Sequence, residues 1–212
     1  MDKRFKLVCF DMDGTLIRET NSVKYLCQLS GNKSEVDKIE EQEDRHEIDW
    51  IEADYIKAQL FQNLSIHEVN KNFESTVKLI DGIAEVVSEL NKHDIKSIIV
   101  TAGPVQVADV LGQKFLFSKV YGSTYEVCDE KFTGKIENHL GDNGKLECLI
   151  SYCKANDIDL NECIAIGDST SDIKVFEKCK KAIAINYSDS LIGKADVYLN
   201  TDSLIDVLEH IV

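Results

Sequence analysis

Short apolar runs alternate with helix-spaced stretches along most of this chain, and that alternation leaves few folds open. The runs fall at residues 5–10, 98–100, 163–166, 182–185 and 197–199. They have the length and the β-branched character of strands buried on both faces. Between them Ile83, Val86, Val87 and Leu90 recur at the spacing of one helix face. So do Leu146, Leu149, Ile150 and Cys153, and again Leu204, Val207, Leu208 and Ile211. The expectation is an α/β fold: a doubly wound parallel sheet covered by helices. Residues 130–137, around Phe132-Thr133-Gly134, instead predict a small hairpin. Pro104, the only proline, stands where a helix should begin.

One stretch breaks the alternation. From Arg18 to Phe73 the chain is dense in charge and has no strand-like run. Ile51, Tyr55, Ala58 and Phe61 keep helical spacing, as do Ile56, Leu60 and Leu64, while Asn32-Lys33-Ser34 breaks the pattern and Leu64-Ser65-Ile66 restarts it. This predicts a small helical domain at 18–75, inserted into a core made of 1–17 and 76–212. The acidic run at 40–47 reads as a solvated helix face or mobile tip, with Arg45 and His46 on the surface.

The polar residues that close the apolar runs carry the chemistry. Asp11-Met12-Asp13-Gly14-Thr15 follows the first run. Two carboxylates two residues apart repel unless a cation or a proton sits between them. A hard cation such as Mg²⁺ takes oxygen ligands and answers that need. Gly14 lets the backbone turn sharply. An Asp-Gly pair is also a common turn, so the motif alone does not decide. Thr101-Ala102-Gly103 ends the second run with a hydroxyl and two small residues, which let backbone N–H groups close on an anion. Gly144-Lys145 opens a helix, where a lysine is electrostatically misplaced unless it faces bound anion. Lys131 and Lys135 are weaker competitors for that role. Gly167-Asp168-Ser169-Thr170-Ser171-Asp172 ends another strand. Asp11, Thr101 and Asp168 thus converge at the carboxyl edge of a parallel sheet, where such folds bind ligands.

Composition excludes other classes. A net charge of −14 argues against nucleic acid or an anionic membrane as partner. No apolar run approaches the ~20 residues that span a bilayer. Lys3, Arg4 and Lys6 precede an apolar run that Asp11 interrupts, so no signal peptide is expected. The seven cysteines are scattered, with no C-x-x-C, and predict free buried thiols in a reducing cytoplasm.

Taken in order, D-x-D-G-T at Asp11 to Thr15, the strand-end Thr101, the Lys145 helix start and G-D-x-x-x-D from Gly167 to Asp172 resemble the haloacid dehalogenase superfamily. The helical insertion resembles that family's C1-type cap, and the hairpin and the Gly-Lys helix are most similar to its phosphoserine phosphatase branch. The resemblance implies a Rossmann-like core and a phosphatase working through an aspartyl-phosphate. Asp11 would be the nucleophile and Asp13 the acid and base. Mg²⁺ would sit on Asp11, the Asp13 carbonyl and Asp168. Thr101 and Lys145 would hold the transferring oxygens, and Asp172 would hold the lysine or a metal-bound water. Ala102, Gly103 and Ser171 would line the substrate site, with Glu19 on a substrate amine and Lys57 on its carboxylate. The branch usually carries Ser-Gly-Gly at 101–103 and G-D-G-x-N-D at 167–172, so Thr101, Ala102, Ser169 and Ser171 are departures, as are lysine for arginine at 57 and Glu19, one residue off the usual spacing. The expected substrate is a small phosphomonoester, phosphoserine first, with sugar phosphates or phosphoethanolamine as alternatives, acted on by a cytoplasmic monomer or homodimer. A receiver-like signalling domain would also use a strand-end Asp, a Thr and a Lys, but such domains are shorter and lack this insertion.

Overall fold

The computed structural model describes residues 5–212. Lys3 and Arg4, used in reading the amino terminus, lie outside the described residues. The first run forms β1 (Leu7–Phe10), buried along its whole length. The chain then turns through a two-residue β2 (Ile17–Arg18) into four helices: α1 (Ser22–Leu29), α2 (Lys33–Asp44), α3 (Trp50–Leu60) and α4 (Ile66–Thr76). Their starts follow local chemistry. Asn21, Asp49 and Ser65 each sit extended before a helix and accept a backbone N–H of its first turn with the side chain. The segment closes with β3 (Lys78–Leu79), antiparallel to β2. Entry to and exit from the helices are therefore stitched together.

From there the alternation runs as expected: α5 (Ile83–Lys92), β4 (Lys96–Pro104), α6 (Val105–Phe115) and β5 (Lys119–Cys128). Next come β6 (Lys131–Asn138), α7 (Gly141–Ala155), β7 (Cys163–Gly167), α8 (Ile173–Phe176), β8 (Lys181–Ile185) and β9 (Val197–Leu199). The seven-stranded sheet has the order β6-β5-β4-β1-β7-β8-β9. Every pairing in it is parallel except β5 with β6. β1 lies between β4 and β7, so strand order reverses around it and a crevice opens at its carboxyl end.

The strands alternate between two cores. Val8, Phe10, Ile99, Ile164 and Ile166 pack with α5 and α6 residues such as Val86, Val87 and Leu111. Leu7, Cys9, Val100, Cys163 and Ala165 pack with Leu149, Tyr152, Val175 and Phe176 from α7 and α8. Both faces being covered explains why the strands read as continuous apolar runs.

Four expectations are corrected. The hairpin is larger than residues 130–137: its first arm is β5, its turn is Asp129-Glu130 with both φ positive, and Phe132-Thr133-Gly134 lies within β6. The last helix, Leu204–His210, is a 3-10 helix that buries Leu204 and Val207, residues three apart that eclipse at three residues per turn. All seven cysteines are free as expected, but Cys128 at the hairpin end is exposed. The acidic run is not wholly solvated, because Glu40 and Glu43 both turn towards the buried Lys57.

The hairpin also seats the helical segment. Asn63 N–H donates to the Phe132 carbonyl at 2.8 Å, Phe132 N–H to Leu64 at 3.0 Å, and Ile66 N–H to Glu130 at 2.9 Å. Phe61, fully buried, packs edge-on to Phe132 at 5.2 Å. Removing such a ring costs about 3–5 kcal/mol. On the crevice side, Asp54 of α3 bonds His139 at 3.0 Å, and Trp50 and Tyr55 flank the imidazole.

Candidate active site

Asp11, at the carboxyl end of β1, is 5% exposed. Its Oδ1 accepts the Lys145 ammonium at 2.6 Å, and the same ammonium donates to Ser171 Oγ at 2.8 Å and Asp172 Oδ1 at 2.9 Å. Lys145 does not open its helix. α7 begins at Gly141, which places Lys145 in the second turn, 3% exposed and pointing under the sheet edge. The dipole argument is therefore not what makes the residue unusual; the two carboxylates holding it are. Burial works against its charge, but Asp11 and Asp172 outweigh burial and raise its pKa. The other Asp172 oxygen accepts the backbone N–H groups of Asp168 and Ser169 at 3.0 and 3.2 Å. Asp172 thus ties the lysine to the loop that carries Asp168.

Asp11, Asp168 and Asp172 offer carboxylate oxygens that all lie within 4.8 Å of one another. Lys145 offsets part of that charge. Burial first, then Asp11 and Asp172, push the Asp168 carboxyl well up, and burial does the same to Asp11 despite Lys145. Asp168 Oδ1 is buried with no hydrogen-bond partner. An orphaned, buried carboxylate oxygen beside two more carboxylates is a donor set that a hard divalent cation fits. Gly14 is held to glycine twice here. Its φ is +84°, and a Cβ would lie 2.1 Å from Asp168 Oδ2.

Asp13 has a separate environment. Its Oδ1 accepts the Ser22 backbone N–H at 2.7 Å and its Oδ2 the Ser22 hydroxyl at 2.5 Å. Burial raises its pKa to about 6, while the two Ser22 bonds pull the other way. Ser22 is the first residue of α1, so the helical segment itself orients this carboxylate. Sequence reasoning missed Ser22; the signal was a serine directly after the capping Asn21.

Thr101 is buried inside β4, which continues to Pro104 rather than ending at the threonine. Pairing with β5 shifts register between Val100 and Pro104. The Thr101 hydroxyl accepts Gly103 N–H at 3.0 Å, which leaves its own proton for an acceptor in the crevice. A Cβ at Gly103 would come within 2.4 Å of Ser22 Oγ and 2.7 Å of Asp13 Oδ2.

Between the helical segment and the sheet edge lies a cavity of about 1020 Å³. Asp13, Ala102, Gly103 and Ser171 line one side, and Glu43, Asp49, Trp50, Asp54 and Lys57 the other. Lys57 is thus brought to the cavity. Glu19 is not brought to this cavity. Its backbone is left-handed, its side chain is 68% exposed, and it pairs with Lys78 across the β2–β3 ribbon. Lys131 is exposed in β6, as is Lys135, whose neighbour is Glu126 at 3.9 Å. Neither competes with Lys145. Among the described residues no helix is long and apolar enough to cross a membrane.

The sequence profile of the haloacid dehalogenase-like hydrolases matches residues 8–177. Phosphoserine phosphatase of Methanocaldococcus jannaschii is 26% identical over 212 residues, covering 100% of both chains. Among solved structures, a phospho-aspartyl intermediate analogue of phosphoserine phosphatase matches with a TM-score of 0.85 and 26% identity, over 99% of this chain and 100% of the other. A substrate-bound phosphoserine phosphatase complex matches with a TM-score of 0.86 and 25% identity, over 100% of both.

Proposed function

The chain belongs to the haloacid dehalogenase-like hydrolases, and from that footing we propose that it is a Mg²⁺-dependent phosphatase whose substrate is phosphoserine. The observation that carries this reading is the buried Lys145 ammonium bridging Asp11 and Asp172 beside the unpartnered Asp168 oxygen. That arrangement leaves one Asp11 oxygen to act as nucleophile and leaves the site short of positive charge. The similarity to phosphoserine phosphatases along the whole chain supports the substrate.

Asp11 attacks phosphorus, the bond to the leaving oxygen breaks, and Asp13 passes its proton to that oxygen. A water then attacks the phosphorus of the aspartyl-phosphate, Asp13 takes its proton, and phosphate and the Asp11 carboxylate are released. An Asp13 carboxyl pushed up to about 6 by burial suits such an exchange, since it can hold and give a proton near neutrality. Lys145 and the Thr101 hydroxyl neutralise charge on the non-bridging oxygens, where phosphoryl transfer needs it most. Asp11, the Asp13 carbonyl and Asp168 would hold Mg²⁺, which supplies charge neutralisation between nucleophile and phosphate. Asp172 keeps Lys145 and the Asp168 loop in place. Residues 18–75 act as the cap over a core of 1–17 and 76–212, and exclude bulk water from the crevice. Ala102, Gly103 and Ser171 face the substrate. We place the enzyme in the cytoplasm, as a monomer or homodimer, with a small phosphomonoester as its partner.

Phosphate release from a panel of phosphorylated metabolites, with and without Mg²⁺, tests the reading. Phosphoserine should lead phosphothreonine, phosphoethanolamine and sugar phosphates. A sugar phosphate in the lead overturns the substrate and leaves the chemistry standing.

A further inference from the structure

The cavity wall opposite the catalytic carboxylates carries an ion pair that the reaction does not use. Lys57, 5% exposed, donates to Glu43 Oε2 at 2.8 Å, and Glu40 Oε1 lies 3.9 Å away. Both Lys57 and Glu43 line the cavity. The two glutamates are not equivalent. Glu40 is committed elsewhere: it accepts the Asn21 amide at 3.0 Å and pairs with Lys24. Glu43 has Lys57 alone among the partners of the described residues. It is also the more exposed of the two, at 31% against 19%. Glu43 can therefore move without breaking anything but its bond to Lys57.

A buried lysine stripped of its carboxylate is costly, so whatever displaces Glu43 must bring a carboxylate of its own. Glu43 freed from Lys57 stays on the cavity wall as an unpaired carboxylate that a ligand's cation can take up. The Glu19 carboxylate is held by Lys78 outside the cavity. Asp44, Asp49 and Asp54 also line this cavity, but Asp49 caps α3 and Asp54 bonds His139. A ligand with one carboxylate and one ammonium answers both needs at once; a ligand with only one of them answers half.

We infer that Glu43 is a specificity-determining residue that receives the substrate's ammonium while Lys57 receives its carboxylate. A zwitterionic phosphomonoester then replaces one internal ion pair with two of its own. This rests on the phosphoserine reading and assigns the amine to a residue on α2 instead of Glu19.

The test is Glu43→Gln, assayed by steady-state kinetics on phosphoserine, on phosphoethanolamine, which lacks the carboxylate, and on the des-amino analogue of phosphoserine, which lacks the ammonium. Loss of a charged hydrogen bond should raise KM for the two ammonium substrates roughly ten-fold, with a smaller change in kcat. KM for the des-amino analogue should fall, because Lys57 has lost its competitor. Glu43→Asp, which keeps the charge on a shorter arm, should raise the first two KM values by less. Unchanged or lowered KM for the ammonium substrates in Glu43→Gln overturns the inference and makes Glu43 only a counter-ion. A wild-type enzyme that prefers phosphoethanolamine overturns the phosphoserine reading, and the KM of Glu43→Gln for that substrate still decides the role of Glu43.

Discussion

Replacing Lys145 by methionine keeps the length of the side chain and removes the charge. The ammonium is bonded by three oxygens at 2.6, 2.8 and 2.9 Å, and the side chains of Lys145, Asp11 and Asp172 are 4%, 4% and 5% exposed. The variant leaves two buried carboxylates facing each other. Breaking a buried pair from one side costs about 3–5 kcal/mol. Protonation sets a ceiling, because placing a proton at pH 7 on a carboxyl of ordinary pKa costs about 4 kcal/mol. At pH 5 the same proton costs only about 1.5 kcal/mol. The sign follows: without the lysine one of the two carboxyls gains a raised folded-state pKa, so the variant recovers stability as pH falls towards the unfolded value. Urea unfolding without divalent cation should show a loss of about 3–4 kcal/mol at pH 7 that shrinks to about 1–2 kcal/mol at pH 5. A loss under about 1 kcal/mol, equal at both pH values, would refute the idea that this lysine neutralises buried carboxylates.

Three further outcomes follow from the geometry. Ser22→Ala removes the hydroxyl bond that favours the charged form of Asp13 and keeps the backbone N–H bond, so the limb of the pH–rate profile that reports Asp13 should move upward from about 6; a limb that stays put detaches Ser22 from the proton transfer. Asp168→Asn relieves repulsion among three clustered carboxyls, two buried and one half-buried, so the metal-free protein should unfold at a higher temperature while cation binding, followed by calorimetry, is lost; lowered apo-stability would contradict the repulsion. Gly103→Ala places a methyl against Ser22 and Asp13 and should cut kcat more than KM, with little change if α1 yields freely.

The sheet and the convergence of Asp11, Thr101 and Asp168 were legible because both are local consequences. Buried parallel strands are mainly apolar, and the polar residue after β1 and after β7, Asp11 and Asp168, marks the sheet edge, whereas Thr101 lies inside β4. What escaped depends on contacts distant in sequence. Glu43 sits in an acidic run that reads as solvent-facing, and only Lys57, fourteen residues on, turns it inward. Glu19 failed because spacing says nothing of direction, and a left-handed residue sends the side chain out to Lys78. The start of α7 was set a turn late, since Gly141 and Asp142 give no apolar signal while the Gly-Lys pair does. The hairpin turn was misplaced because Asp129-Glu130 adopts positive φ without a glycine.

The central claim is that Asp11 carries the phosphoryl group. Acid quenching of the enzyme during turnover of phosphoserine with Mg²⁺, followed by peptide mass spectrometry, tests it directly. The account predicts one phosphoryl adduct on the peptide containing Asp11, lost with all turnover in Asp11→Asn. An adduct on another residue, or full turnover by Asp11→Asn, would contradict it.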